Sequence, residues 1–135
     1  MAIETVRLRA SGAAAADSTV HATIPANRKF KIIAIRWIAN IAVAAHATDG
    51  VTVRPYVIEA GTPAALSAGW STLSGGDGAV AQFAVKTPTL TATALQKELT
   101  NTTATPDLLQ LNVTSAGSGK AYDVTMEFDL EEVRP

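Results

Sequence analysis

The chain has 135 residues, 47% of them hydrophobic and 5% aromatic, with no cysteine and a formal net charge of -1. Its length sets one domain over residues 1–135, large enough to bury roughly two-thirds of the surface its unfolded form exposes. The charge leaves no basic excess for nucleic acid or an anionic membrane. The missing cysteines exclude disulfides, thiolate nucleophiles and cysteine-ligated zinc. Charges at Glu4, Arg7 and Arg9 fall where a secretory leader needs its apolar core. The longest uncharged apolar stretch, Trp37 to Thr48, falls short of the ~18 residues of a membrane span. These features predict a soluble protein without a signal peptide.

Ile3 to Arg9 alternates in polarity and predicts an N-terminal strand near a sheet edge. Ser11 to Ser18 contains too short an alanine run to nucleate a helix and reads as a loop. Thr19 to Ile24 alternates again, with Val20, Ala22 and Ile24 inward, and Pro25-Ala26-Asn27 reads as a turn. The dominant stretch follows. Phe30 to Ala45 is rich in β-branched residues and predicts a long central strand, hairpin-paired with Thr19 to Ile24. Its odd positions, Ile33, Ile35, Trp37, Ala39, Ile41 and Val43, form one apolar face. The even positions begin apolar and turn polar at Arg36 and Asn40, so that face is expected to be covered in part by a loop or a neighbouring subunit.

His46 to Gly50 reads as a turn, and Val51 to Ile58 as a strand that Pro55 confines to an edge or a bulge. Gly61-Thr62-Pro63 ends it. Ala65 to Gly78 reads as glycine-rich loop carrying Trp70 and Leu73, with a short strand at Gly69 to Leu73. Ala79 to Lys86 predicts a strand with Ala79, Ala81, Phe83 and Val85 inward. Thr89 to Thr100 offers the one helix, with capping-box spacing at Thr93 and Gln96, so at most one short helix is expected near 91–100. A turn at Asn101 to Pro106 leads to a strand over Asp107 to Thr114 with Leu109, Leu111 and Val113 inward. After Ala116-Gly117-Ser118-Gly119, Tyr122 to Val133 gives the clearest period of two. The count of about eight strands, with no alternation of β and α units, predicts an all-β antiparallel sandwich, preferably a jelly roll.

No pattern of residues supports an enzyme. Asp123, Glu127, Asp129 and Glu131 recur along one strand face, where regular spacing implies solvation, not a cleft that separates two carboxylate pKa values. Arg7 and Arg9 share that period, which predicts that the first and last strands lie side by side with opposite charges paired. His21 and His46 lack further ligands at metal-binding spacing. Gly75-Gly76-Asp77-Gly78 resembles one copy of a calcium-binding repeat, which cannot form a site alone. Asn101 and Asn112 head chance matches to the glycosylation acceptor pattern. No catalytic residue, metal or cofactor is expected. Trp37 is expected in the core, whereas Tyr56 and Trp70 are expected at the surface, Trp70 either as a lid over one end or as an anchor for a partner.

The order of parts carries a resemblance. A strand ending in I-P-A-N-R-K-F-K-I-I-A-I-R, a valine-rich strand, D-L-L-Q-L-N-V-T, a glycine turn and A-Y-D-V-T-M-E-F-D-L resemble the small β-sandwich decoration (cement) proteins of tailed bacteriophage capsids. The resemblance covers most of the chain from Thr19 onward, with Asn27 where the family pattern has glycine and no long arm expected before Ile3. It implies a non-enzymatic virion protein, made in the host cytoplasm, that binds the outer surface of the shell through the major capsid protein. It also implies a homo-oligomer, expected as a trimer. Neither nucleic acid nor membrane is an expected partner. Arg36, Ile38, Asn40, Tyr56, Trp70 and Leu73 are the expected interface residues. The alternatives are a carbohydrate-binding module stacking sugars on Trp70 and Tyr56, or another phage component such as a tail or fibre subunit.

Overall fold

The computed structural model describes residues 3–25, 28–92, 94, 97–101 and 106–133, and it is built of strands. In chain order these are β1 (Ile3–Gly12), β2 (Ser18–Thr23), β3 (Lys29–Ala39), β4 (Gly50–Glu59), β5 (Thr62–Ala65), β6 (Trp70–Ser71), β7 (Val85–Lys86), β8 (Glu98–Thr100), β9 (Leu108–Ala116) and β10 (Tyr122–Glu132). They form two five-stranded sheets. The first runs β1-β10-β3 with β7 and β8 on the far side of β3; the second runs β2-β9-β4 with β5 and β6 on the far side of β4. Every named pairing is antiparallel.

Taking β5 with β6 and β7 with β8 as two interrupted edges leaves eight strands whose pairing is nested. The first strand pairs with the last, the second with the second-last, and so inward to β4 with β5 and β6. A chain folded on itself and then wound around a core gives that order, which is the jelly roll. The two inner faces meet in one apolar core: Leu8, Phe30, Ile35, Trp37, Tyr122, Met126 and Phe128 from the first sheet, and Val53, Val57, Leu109, Leu111 and Val113 from the second.

The alternation read from the sequence survives where a strand has regular partners on both sides. In β10 and β9 the expected residues are inside. β3 departs from it. Its register against β10 shifts between Asp129 and Leu130, so that Ala34 and Ile32 have partners and Ile33 between them has none. One extra residue reverses the faces. Phe30 and Ile32 point inward before the bulge, Ile35, Trp37 and Ala39 after it, and Ile33 is left 41% exposed. The expected unbroken odd face is therefore corrected at Ile33, and at Ile41, which is also exposed. The strand ends at Ala39 and not Ala45 because β10, its partner, begins only two residues beyond the pairing of Ala39 with Val124.

Three further expectations change. β2 and β3 are not a hairpin: β2 pairs with β9 and β3 with β10, so the chain crosses between sheets there. An amphipathic strand can bury its apolar face across the core as well as beside its sequence neighbour. Ala26 and Asn27 of the expected turn lie outside the described residues, as do Thr93, Leu95 and Gln96 of the expected helix and 102–105 of the next turn. Glu98–Thr100 of that helix is strand β8. Lastly, the inward face predicted over Ala79 to Lys86 is turned out. Val80 is buried, while Phe83 and Val85 are 69% and 56% exposed. Phe83 has φ of 64°, which breaks the pleat after Gln82 and leaves only Val85–Lys86 as strand.

Pro55 lies within an interior strand. Its carbonyl accepts from the Leu66 N–H at 3.0 Å, so its ring nitrogen points the same way, into the interruption between β5 and β6. The missing donor costs nothing where no partner strand runs. Ala60 and Gly61, with φ of 50° and 80°, form the two-residue turn joining β4 to β5, the type I′ geometry that matches strand twist. Gly12 is required by space instead. A Cβ there would lie 2.7 Å from the Tyr122 hydroxyl, which is bonded to the Ser18 hydroxyl at 2.6 Å.

Candidate interaction surface

Two surfaces on the first sheet hold the chemistry. The first is its outer face, where β1, β10 and β3 place charges in register. Arg7 lies opposite Glu127, Glu127 opposite Arg36, and Thr5 opposite Asp129. The Arg36 Nε donates to Glu127 at 2.8 Å and its Nη1 to Asp129 at 2.7 Å, while Arg7 donates to the other Glu127 oxygen. Thr5 donates to Asp129 at 2.7 Å. Arg9 reaches diagonally to grip Asp123 with two donors, at 2.9 and 2.6 Å, and the Asn40 amide bridges Asp123 and Thr125.

This ladder changes the reading of the acidic row. Glu127 is only 8% exposed. Burial pushes its carboxyl upward, but hydrogen bonds from Arg7 and Arg36 outweigh that and hold it below the usual range. The Arg36 guanidinium lowers Asp129, and the Arg9 guanidinium lowers Asp123. All are held ionised by fixed cations, the reverse of a poised general acid. The expected adjacency of first and last strands is present, and Asp123, Glu127 and Asp129 of the row are paired with arginines instead of forming a bare solvated face.

The remaining aspartates serve turns. Asp49 accepts the Ser118 N–H at 2.8 Å, which is the main reason its carboxyl is held low. Asp17 accepts from Ser115, Asp77 from Ser71 and Asp107 from Thr100. The His46 Nδ1 accepts the N–H groups of Thr48 and Asp49 at 3.1 and 2.9 Å. The same Nδ1 lies 3.6 Å from the Asp49 carboxylate. The His21 Nε2 meets Gln110 at 2.8 Å across β2 and β9. Among the described residues, no three His, Cys, Asp or Glu side chains gather as a metal site.

The second surface is the far edge, beyond β3. Val85 lies directly opposite Ile38 on the outer face, and the Phe83 N–H donates to the Ala39 carbonyl at 2.6 Å. Val85 thus projects beside half-buried Ile38, exposed Phe83 lies two residues before it, and exposed Ile41 is in the segment that follows β3. Past β7 the chain forms one wall of a groove of about 270 Å³ lined by Trp37, Ser67–Trp70, Asp77 and Thr87–Thr89. Trp70 packs edge-on against Trp37, with ring centroids 6.0 Å apart, and the Lys86 ammonium sits 4.5 Å from the centre of the Trp70 ring. The Trp70 Nε1 is buried without an acceptor.

The six expected interface residues do not form one surface. Arg36 and Asn40 are committed to the ladder, and Ile38 borders the apolar edge. Trp70 pairs with Val53, whose side chain is in the core, whereas Tyr56 is three residues along β4 and faces out, beneath Arg54 at 5.5 Å. Trp70 and Tyr56 therefore lie on opposite faces of the second sheet and make no joint platform for a sugar. Leu73 sits beside Gly50, in a parallel bridge with His46. Phe83 and Val85 were missed as surface residues. Their alternation with Ala79 and Ala81 marks an apolar face but does not say which side of it is covered.

No protein-family model matches the chain, and comparison with curated proteins and with solved structures returned no significant match.

Proposed function

We propose that this chain is a non-enzymatic structural subunit that binds the outer surface of a phage capsid, through its major capsid protein, and reinforces the shell as a homo-oligomer. Two things support the reading: the resemblance in sequence from Thr19 onward, and the division of labour on the surface. The polar side chains that would carry chemistry are spent on holding strands and turns together. The observation that carries the reading is the exposure of two apolar side chains outside that network, Phe83 and Val85, on a pinned backbone. Exposed apolar side chains grouped at one edge mark association surfaces.

Reinforcement would come from many modest contacts repeated over a symmetric shell, where avidity supplies what one contact lacks. Co-sedimentation with shells assembled without this protein tests the reading. Saturable pelleting at a fixed ratio to the capsid protein is expected. A chain that stays in the supernatant at every concentration overturns it.

A further inference from the structure

The apolar edge carries both a knob and a hole. Phe83 is the knob: 69% exposed, with φ of 64°. A left-handed backbone is disfavoured for any residue with a Cβ, and an exposed phenyl ring gains nothing from burial, so the single chain recovers neither cost. The conformation is nevertheless fixed, because hydrogen bonds bracket it: Phe83 N–H to the Ala39 carbonyl at 2.6 Å and Ala84 N–H to the Ala81 carbonyl at 3.1 Å. The ring is presented, not left loose.

The groove beside Trp70 is the hole. Its volume of about 270 Å³ is ample for a phenyl ring, since a cavity of about 150 Å³ takes benzene. Trp37, Trp70 and Pro88 give it apolar walls that suit an aromatic guest. Its wall begins at Thr87, four residues from Phe83 and so within about 14 Å along the chain. Unmatched charges of opposite sign flank it. Among the described residues, Lys86 has no carboxylate partner and Asp77 no cation.

We infer that the groove receives Phe83 of a second copy of this chain, with Val85 and Ile38 packed around the contact. A knob, a hole of sufficient size and a complementary pair of charges on one edge are what self-association needs. The inference deepens the reading of an oligomeric shell subunit by naming the surface through which copies meet.

The test is the mass of the full-length protein by light scattering across a dilution series, for the native chain, Phe83→Gly and Thr87→Trp. Glycine removes the ring and relieves the left-handed backbone, and tryptophan at position 87 fills the groove while leaving Phe83 in place. The native chain is expected to be oligomeric. Both variants are expected to dissociate at concentrations at least about thirtyfold higher, as for loss of an aromatic hot spot, with Phe83→Gly unfolding no earlier than the native chain when both are heated at dilutions where both are monomeric. A monomeric native chain overturns the inference, as does undiminished assembly of either variant. Shell co-sedimentation reads the function separately: a monomer that still pellets with shells ends the self-contact and leaves the decoration reading standing.

Discussion

Glu127 illustrates what a single side chain decides in this molecule. It is nearly buried and accepts from two arginines on two different strands. Glu127→Gln leaves those guanidinium groups facing a neutral amide and is expected to cost about 1.5–3 kcal/mol in denaturant unfolding, the range for hydrogen bonds to charged groups. The bulge in β3 supplies a sharper contrast. Ile35→Ala opens a cavity in the core and is expected to cost about 2–5 kcal/mol, whereas Ile33→Ala, two residues away in the same strand, is expected to stay within about 0.5 kcal/mol. Equal losses would mean that Ile33 is packed and the register shift is absent. Ala60 sits in a left-handed position of a two-residue turn. Ala60→Asn is expected to raise stability by about 0.5–1 kcal/mol, since asparagine adopts that conformation more readily.

At the scale of elements, the ladder ties β1 and β3 to β10 through charge, and it sets a pH dependence. The carboxyls of Asp123, Glu127 and Asp129 are all held below their ordinary values. In acid the unfolded chain takes up protons before the folded one does, so folding is weakened as pH falls. Their contribution is complete well above the unfolded carboxylate range of about pH 4 and drains away below it. Thermal unfolding at a series of pH values should show a midpoint flat near neutrality and falling below about pH 4. The fall should be shallower in Glu127→Gln, because one of the linked groups is gone. A midpoint insensitive to acid would contradict the ladder.

These elements also show what a linear pattern can and cannot convey. β9 and β10 were legible because a strand with regular partners and one buried face writes that face into every second residue. The cross-strand pairing of Arg7 and Arg9 with the acidic row was legible because opposite charges at the same period have an obvious use. The bulge at Ile33 was not, since Ile32 and Ile33 are alike and either can face the core. Partner choice between β2 and β3 was hidden for a related reason. Amphipathicity says that a strand has an inside, but not which strand lies beside it. The outward turn of Phe83 depends on a single left-handed residue, and phenylalanine gives no warning of one.

Across the whole molecule, the nested pairing brings both ends of the described chain together at one edge of the sandwich and leaves the opposite edge of each sheet in short pieces. The outer face of β1, β10 and β3 is tied together by the charge ladder. The interrupted edges keep Phe83, Val85 and the groove between Trp37 and Trp70, so the fold separates a self-satisfied side from one with surface to spare. A subunit of that kind stabilises whatever assembly it binds by mass action, in proportion to occupancy. The most direct measurement is the heating midpoint of capsid shells lacking this protein as it is added back. The midpoint is expected to climb with bound protein and to plateau at saturation. A midpoint that stays at the value of bare shells, with the protein present in excess, would contradict it.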